Sequence, residues 1–305
     1  MWTAIQEAIY QITGTAVGSM SFGERLLYLI ARYGTSYLDG AKNTLIVAII
    51  STAVGCLIGL GAGIIQTIPV RKEDHLVKRF IVRLCKILLG AYVELFRGTP
   101  MMIQAGFIYY GIPIVFGYYM DTLPAAFLIV SINTGAYMAE TVRGGILSID
   151  PGQTEGAKAI GMTHVQTMTS VILPQALRNI MPQIGNNLII NIKDTCVLSV
   201  ISVVELFFAH KGVAGATYCY FESATIVMVM YLVMTVFFSK LLRWVEKKMD
   251  GKANYDLATT DTLAHTTGMY NYPGKGSNFD ERSKEYEKGV RDAHWNRNQS
   301  SRGER

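Results

Sequence analysis

The sequence has little charge for its length. Of its 305 residues, only 17% are Asp, Glu, Lys or Arg, whereas 50% are hydrophobic. Soluble domains carry about 25% charged residues, so the deficit argues against a soluble protein and indicates a lipid environment. The formal net charge of +5 is modest, and we expect no nucleic-acid partner.

Cysteines and catalytic motifs are also scarce. The four cysteines have no C-x-x-C spacing, and three of them lie in or beside apolar runs. This is typical of small packing residues rather than of disulfides or a zinc site. The motifs H-E-x-x-H, G-x-S-x-G and G-x-x-x-x-G-K-[ST] are absent from the sequence. We therefore predict that this chain has no catalytic residues and binds no metal or cofactor. The absence of these motifs also disfavours a membrane-embedded enzyme.

Long apolar runs are what the sequence does have. A helix needs about 20 mostly apolar residues to cross the hydrocarbon core of a bilayer. Five stretches fit this description, namely residues 45–68, 81–110, 123–147, 184–204 and 225–245. We therefore predict an all-α membrane protein with about five transmembrane helices. The first stretch contains Gly55, Gly59 and Gly63, which we interpret as close packing within the chain rather than as a dimer seam.

Basic residues alternate between the connections of these stretches. The connection after the first stretch holds six Lys or Arg residues, the one at 111–123 holds none, and basic residues return after the third stretch. Cytoplasmic loops carry an excess of Lys and Arg. The alternation predicts that the N-terminus lies outside and that the C-terminal tail is cytoplasmic.

Three regions follow from the composition. Residues 1–40 are too polar to span a membrane and are predicted to form an N-terminal lead, either an interfacial helix or a loosely ordered segment. Residues 41–248 are predicted to form the transmembrane domain. Residues 249–305 are polar, mixed in charge and without apolar periodicity, so we predict a disordered cytoplasmic tail.

The connection between the third and fourth stretches is neither apolar nor similar to the tail. Asp150 can cap a helix, Pro151 suits the first helical position, and Gly161 can end the helix in the left-handed conformation. We predict a cytoplasmic helix of about three turns with little side-chain bulk around Glu155. Such a helix is suited to docking into a groove of another protein, and an ordinary amphipathic connector is the alternative.

The residues from Glu155 to Pro174 resemble the EAA loop of ATP-binding cassette importer permeases. That pattern is Glu-Ala-Ala, three residues, Gly, nine residues and Ile-x-Leu-Pro. Its spacing is matched here, with Gly156 in place of Ala and Val171 in place of Ile. The polar amino acid uptake branch of the family has similar motifs, and they fall here at 94–100, 109–113, 135–145, 152–153, 174–176 and 193–195. The resemblance covers about residues 41–248.

This resemblance implies a permease subunit of an amino acid importer in a bacterial inner membrane. Its implied partners are ATPase subunits that use the ATP, a second permease subunit (the same or a related chain), an external amino acid-binding protein and membrane lipid. The EAA helix of the family is the coupling helix that contacts the ATPase. Carried over to this sequence, the coupling residues are Glu155, Gly156, Ala157 and Gly161. A carrier or channel driven by an ion gradient, independent of an ATPase, is the alternative.

Several charged and polar residues fall inside the predicted spans. A charge there costs at least about 2.5 to 3.5 kcal/mol and usually faces the bundle interior. Glu94 and Arg97 are three residues apart and can neutralise each other on one helix. A zwitterionic amino acid needs an anionic and a cationic contact, so such residues can line its pathway, and a network that only packs the bundle is the alternative. The candidate pathway residues are Glu94, Arg97, Thr99, Asn187, Asn191, Asp194 and Thr195.

Overall fold

The computed structural model describes residues 20–70 and 75–249. Within these ranges the regular secondary structure is entirely helical, as predicted. Residues 1–19 of the predicted lead and residues 250–305 of the predicted tail lie outside the described residues.

Nine α-helices make up the described ranges. They are α1 (Phe22–Thr67), α2 (Leu76–Gly98), α3 (Met101–Phe116), α4 (Thr122–Leu147), α5 (Pro151–Ala159), α6 (His164–Thr167), α7 (Leu173–Asp194), α8 (Leu206–Thr217) and α9 (Tyr220–Met249). A π-helical turn (Met168–Ile172) joins α6 to α7, and a 3-10 turn (Thr195–Ile201) extends α7.

The first helix begins much earlier than the hydropathy pattern predicts. Ser21 caps α1, because its hydroxyl accepts from the Glu24 N–H and its own N–H donates to the Glu24 carboxylate at 2.7 Å. Residues 22–40, predicted as part of the lead, are thus continuous with the first span. They are helical because Leu29 and Tyr37 are buried against α8 and α9, a tertiary contact that hydropathy does not measure. The helix has 46 residues and is about 69 Å long, more than twice the roughly 30 Å hydrocarbon core.

The second predicted span, residues 81–110, is two helices rather than one. Pro100 has no N–H to continue α2, and it holds the preceding Thr99 in an extended conformation, with φ −122° and ψ 148°. The Gln104 side-chain nitrogen lies 2.9 Å from the carbonyl oxygens of Phe96 and Thr99. This amide satisfies backbone acceptors that the break leaves without helical partners.

The fourth predicted span, residues 184–204, is helical through Ile201 and ends at a break. The helical run from α6 through Ile201 is followed by α8, which is bent from it by 53°. By length and composition, three single helices of the described ranges (α1, α4 and α9) can cross a membrane. The bent pair makes a fourth crossing if it is counted as one span.

The doubled G-x-x-x-G stripe packs inside the chain, as predicted. A Cβ on Gly55 would lie 2.6 Å from the Thr134 Cβ, and one on Gly63 would lie 2.7 Å from the Val142 Cβ. A Cβ on Gly59 would overlap the side chain of Met138. All three partners belong to α4, so the glycines allow the backbones of α1 and α4 to approach closely.

Candidate functional site

The short helix α5 has the ends that its sequence predicts. Asp150 Oδ1 accepts a hydrogen bond from the Gly152 N–H at 2.7 Å, and Pro151 occupies the first helical position. The helix has nine residues and is followed by Gly161 in the left-handed conformation, with φ +84°. The N–H of Gly161 donates to the Lys158 carbonyl at 2.9 Å, which helps to close the C-terminus.

The predicted coupling residues do not all face the same way. Glu155, Gly156 and Gly161 are exposed, and a Cβ on Gly156 would meet no atom within 4 Å. Ala157 is buried, because α5 packs against α6 and the π-helical turn. The helix therefore packs one face against its own chain and leaves the face with Glu155 exposed.

Two exposed apolar residues beside α5 were missed by the sequence reasoning. Ile160, at the end of α5, is 80% exposed, and Val165, in α6, is 68% exposed. Large apolar side chains at such exposure are candidates for burial in an interface. The available signal was an isoleucine at the end of an otherwise polar helix.

A charged cleft of about 460 Å³ lies between α2 and α4. Its wall contains charges of both signs, contributed by Lys86, Glu94, Arg97, Glu140 and Arg143. Glu140 pairs with Arg143 within α4, and the Arg143 Nε lies 3.1 Å from the carboxylate. The structure therefore brings Glu94 and Arg97 together with an ion pair from another helix.

Glu94 and Arg97, which both lie in the described part of the chain, do not form the ion pair that their spacing allows. Instead, the Arg97 guanidinium lies 5.6 Å from the centre of the Tyr137 ring, which belongs to α4. A guanidinium over an aromatic face is stabilised by the ring quadrupole. Arg97 is thus directed towards the neighbouring helix, and both charged side chains are exposed in this single chain.

Asn191 joins three helices in the interior. Its side-chain nitrogen donates to the hydroxyls of Thr52 in α1 and Thr134 in α4, at 2.7 Å and 2.9 Å. Asn187, one turn earlier in α7, lies 3.3 Å from the sulfur of Met138. Both asparagines are buried. Buried amides with satisfied donors hold the helices in register.

The remaining candidate pathway residues lie elsewhere. Asp194 is exposed although its sequence spacing predicts a face shared with Asn187 and Asn191, because α7 ends there and tightens into the 3-10 turn. Thr195 is fully buried, and its hydroxyl donates to the Ile192 carbonyl at 3.0 Å. Thr99 lies at the break between α2 and α3. The seven candidates therefore occupy several places rather than one site.

A buried carboxylate that the sequence reasoning missed organises the bent pair. Glu205 caps α8, accepting from the N–H groups of Phe207 and Phe208 at 2.8 Å and 2.6 Å. It also accepts from the Tyr231 hydroxyl of α9 at 3.0 Å, and it is fully buried. An acidic residue directly before an apolar helix was the signal that could have found it. Glu205 fixes the start of α8 against α9.

The chain resembles proteins of known function along most of its length. Residues 76–251 match the family described as binding-protein-dependent transport system inner membrane component. The chain is 37% identical over 213 residues to the glutamine transport system permease protein GlnP of Escherichia coli (strain K12), covering 70% of this chain and 92% of that protein. It is 30% identical over 220 residues to the arginine transport system permease protein ArtQ of Bacillus subtilis (strain 168), covering 70% and 91%.

Solved structures resemble the fold as well. A chain from the crystal structure of an amino acid ABC transporter with histidines superposes with a TM-score of 0.64 at 34% identity, covering 72% of this chain and 96% of that one. A chain of the inward-facing MetNI methionine ABC transporter superposes with a TM-score of 0.54 at 23% identity, covering 75% and 97%. The second likeness shows the fold alone.

Proposed function

Because the chain belongs to the family of binding-protein-dependent transport system inner membrane components, we propose that it is the permease subunit of an ATP-driven amino acid importer in a bacterial inner membrane. The observation that carries this proposal is the 37% identity to GlnP across 92% of that protein. A separate ATPase subunit hydrolyses the ATP, and this chain is the non-catalytic membrane subunit. The predicted absence of a phosphate-binding loop agrees with this division of labour.

We assign the contact with the ATPase to α5. Glu155, Gly156 and Gly161 are exposed on a capped helix, and the neighbouring Ile160 adds an apolar side chain to the same segment. Ala157 anchors the helix to its own chain. The helix α5 is packed against its own chain on one side and exposed on the other. Movement of a partner bound to the exposed side can therefore displace α6 and α7, which follow α5 in the chain.

We assign the amino acid pathway to the cleft between α2 and α4 and to the end of α7. Glu94 and Arg97 supply charges of both signs in that cleft, as the ammonium and carboxylate of a zwitterion require. Asp194 supplies an exposed carboxylate at the end of α7. The other four candidates (Thr99, Asn187, Asn191 and Thr195) belong to the walls of the pathway. Asn187 and Asn191 join α7 to its neighbours, whereas the hydroxyls of Thr99 and Thr195 donate to the preceding turn of their own helix.

The topology we propose has five crossings. They are α1, the broken pair of α2 and α3, α4, α7 with its bent continuation, and α9. The alternation of basic residues supports an N-terminus outside and a cytoplasmic tail at residues 249–305. The transmembrane domain is residues 41–248 with the helical extension that begins at Phe22. A second permease subunit, the same or a related chain, and an external amino acid-binding protein complete the importer in its lipid bilayer.

Reconstitution tests the proposed function. The full chain is placed in proteoliposomes with the ATPase and the binding protein encoded by neighbouring genes, and uptake of labelled glutamine, arginine and histidine is measured with and without ATP. We expect uptake only when ATP, the ATPase and the binding protein are all present. Uptake by the purified chain alone, driven by an ion gradient, would overturn the proposal in favour of a secondary carrier.

Asp194→Asn should change which amino acids stimulate ATP turnover in that system. The substitution removes a negative charge and keeps the shape, so stimulation by arginine should weaken about tenfold relative to glutamine, the size of one lost charged hydrogen bond. Concentration series of each amino acid measure this ratio. Asp121→Asn, at an exposed aspartate that begins α4, is the matched control. An unchanged ratio in Asp194→Asn would assign Asp194 to structure alone.

A further inference from the structure

The first half of α2 has two chemically distinct faces. Val77, Ile81 and Leu88 lie on one side of the helix and are 60%, 52% and 60% exposed. The charged residues of this half are all basic, because no acidic residue occurs between Leu76 and Val93. At about 100° per residue, Arg79, Arg83 and Lys86 fall opposite the apolar side, and Lys78 falls at its edge. A helix with one apolar and one basic face is suited to the boundary between acyl chains and headgroups.

A cavity of about 310 Å³ adjoins the start of this helix, where the end of α1, the start of α2 and the end of α5 meet. Its apolar wall includes Ile68, Pro69 and Met162. Its polar wall includes Lys78 from α2 and Lys158 from α5, and both lysines are exposed. Two ammonium groups from separate elements thus line one cavity beside an apolar surface.

We propose that this cavity binds the headgroup of an anionic phospholipid, with the phosphate held by Lys78 and Lys158. Ammonium groups bind phosphate as point charges, and Lys residues close to a membrane attract anionic lipid. The apolar wall accommodates the glycerol backbone and the first part of an acyl chain, which a free phosphate ion would leave uncovered. The exposed apolar side of α2 faces acyl chains, so the start of this helix lies where the hydrocarbon core meets the headgroups.

The bound lipid would link the coupling helix to the bilayer. Lys158 belongs to α5 and Lys78 to α2, so one phosphate held by both restrains the position of α5 relative to the membrane-embedded helices. The proposed topology places this end of α2 in the cytoplasmic leaflet, and this choice of leaflet, like the contact of α5 with the ATPase, rests on the proposed function. The fraction of anionic lipid in the membrane would then affect the position of α5 at its contact with the ATPase.

Lipid titration of the purified full-length chain tests the site. Native mass spectrometry measures the retention of phosphatidylglycerol, phosphatidylcholine and inorganic phosphate by the wild type and by the double variant Lys78→Gln, Lys158→Gln. Each lysine near an anionic surface is worth about a fivefold change in affinity. We therefore expect phosphatidylglycerol to bind about 30-fold more weakly to the double variant. Phosphatidylcholine binding should change much less, because the choline cation offsets the phosphate charge, and its retention shows that the variant is folded.

Two further variants separate the site from general charge effects. Lys240→Gln with Lys247→Gln removes two exposed charges from α9 and should leave phosphatidylglycerol binding unchanged. Lys78→Arg with Lys158→Arg keeps the charge and should retain most of the binding. Equal losses in the α9 variant, or unchanged binding in the Lys78 and Lys158 glutamine variant, overturn the proposal.

Two other results would assign the cavity to a different ligand. Displacement of phosphatidylglycerol by millimolar inorganic phosphate overturns the proposal in favour of a free-phosphate site. Retention of phosphatidylglycerol by the glutamine variant together with weaker ATPase binding overturns it in favour of a protein contact. Since lipid binding is measured on this chain alone, its loss or retention does not bear on ATP-driven uptake, and the proposed function is tested separately by reconstitution.

Discussion

Replacing Gly161 by leucine should abolish ATP-driven uptake while the chain still inserts and folds. Gly161 has φ +84°, a conformation that costs a residue with a Cβ about 1 to 2 kcal/mol. Nothing lies within 4 Å of a Cβ built there, so the penalty comes from the backbone and not from crowding. Relief of that strain would redirect the chain between α5 and α6. We expect uptake to fall at least about tenfold while ATP hydrolysis by the complex continues.

The measurement is the ratio of amino acid imported to ATP hydrolysed in proteoliposomes. Gly161→Asn is the control, because asparagine tolerates the left-handed conformation better than leucine, and it should restore much of the coupling. Wild-type uptake by Gly161→Leu would remove the assignment of α5 as the coupling helix. A parallel loss of uptake and ATP hydrolysis would mean that the two subunits no longer assemble.

Gly59→Val should prevent the transmembrane domain from folding. Its side chain would overlap Met138 and approach the Ala139 nitrogen to 2.8 Å, so the backbones of α1 and α4 would have to separate. Overpacking of this kind costs about 3 kcal/mol, a large fraction of the stability of a domain. We expect little folded protein in membranes, and a clearly lowered thermal midpoint for any that is recovered.

Gly61→Val is the matched control for that variant. Gly61 is on the same helix, is exposed, and a Cβ there would meet no atom within 4 Å. Folded yield is measured by fluorescence-detected size exclusion of membranes solubilised in detergent. If both variants accumulate equally well, close approach of α1 and α4 at Gly59 is not required, and the stripe has another role.

Local signals predicted α5 well and the long helices less well. Asp150, Pro151 and Gly161 act within a few residues of themselves, so their effect on the helix ends can be read from the sequence. The start of α1 depends on burial of Leu29 and Tyr37 against α8 and α9, which are more than 150 residues away. A hydropathy average includes only neighbours in sequence, so it does not detect burial against distant helices. The break at Pro100 carried a local signal, but the apolar residues on both sides concealed it.

The sequence by itself determined the helical class, the close-packed glycine stripe, the ends of α5 and the family resemblance, because each depends on composition, spacing or short-range hydrogen bonds. Only the tertiary structure decided which side chains are buried against other helices and which are exposed. It turned Ala157 inward and left Glu155 open, buried Asn191 between Thr52 and Thr134, and left Asp194 exposed. Residues that share a helix face in sequence meet different environments, because burial depends on the neighbouring helix, and that neighbour is chosen by packing across the whole chain.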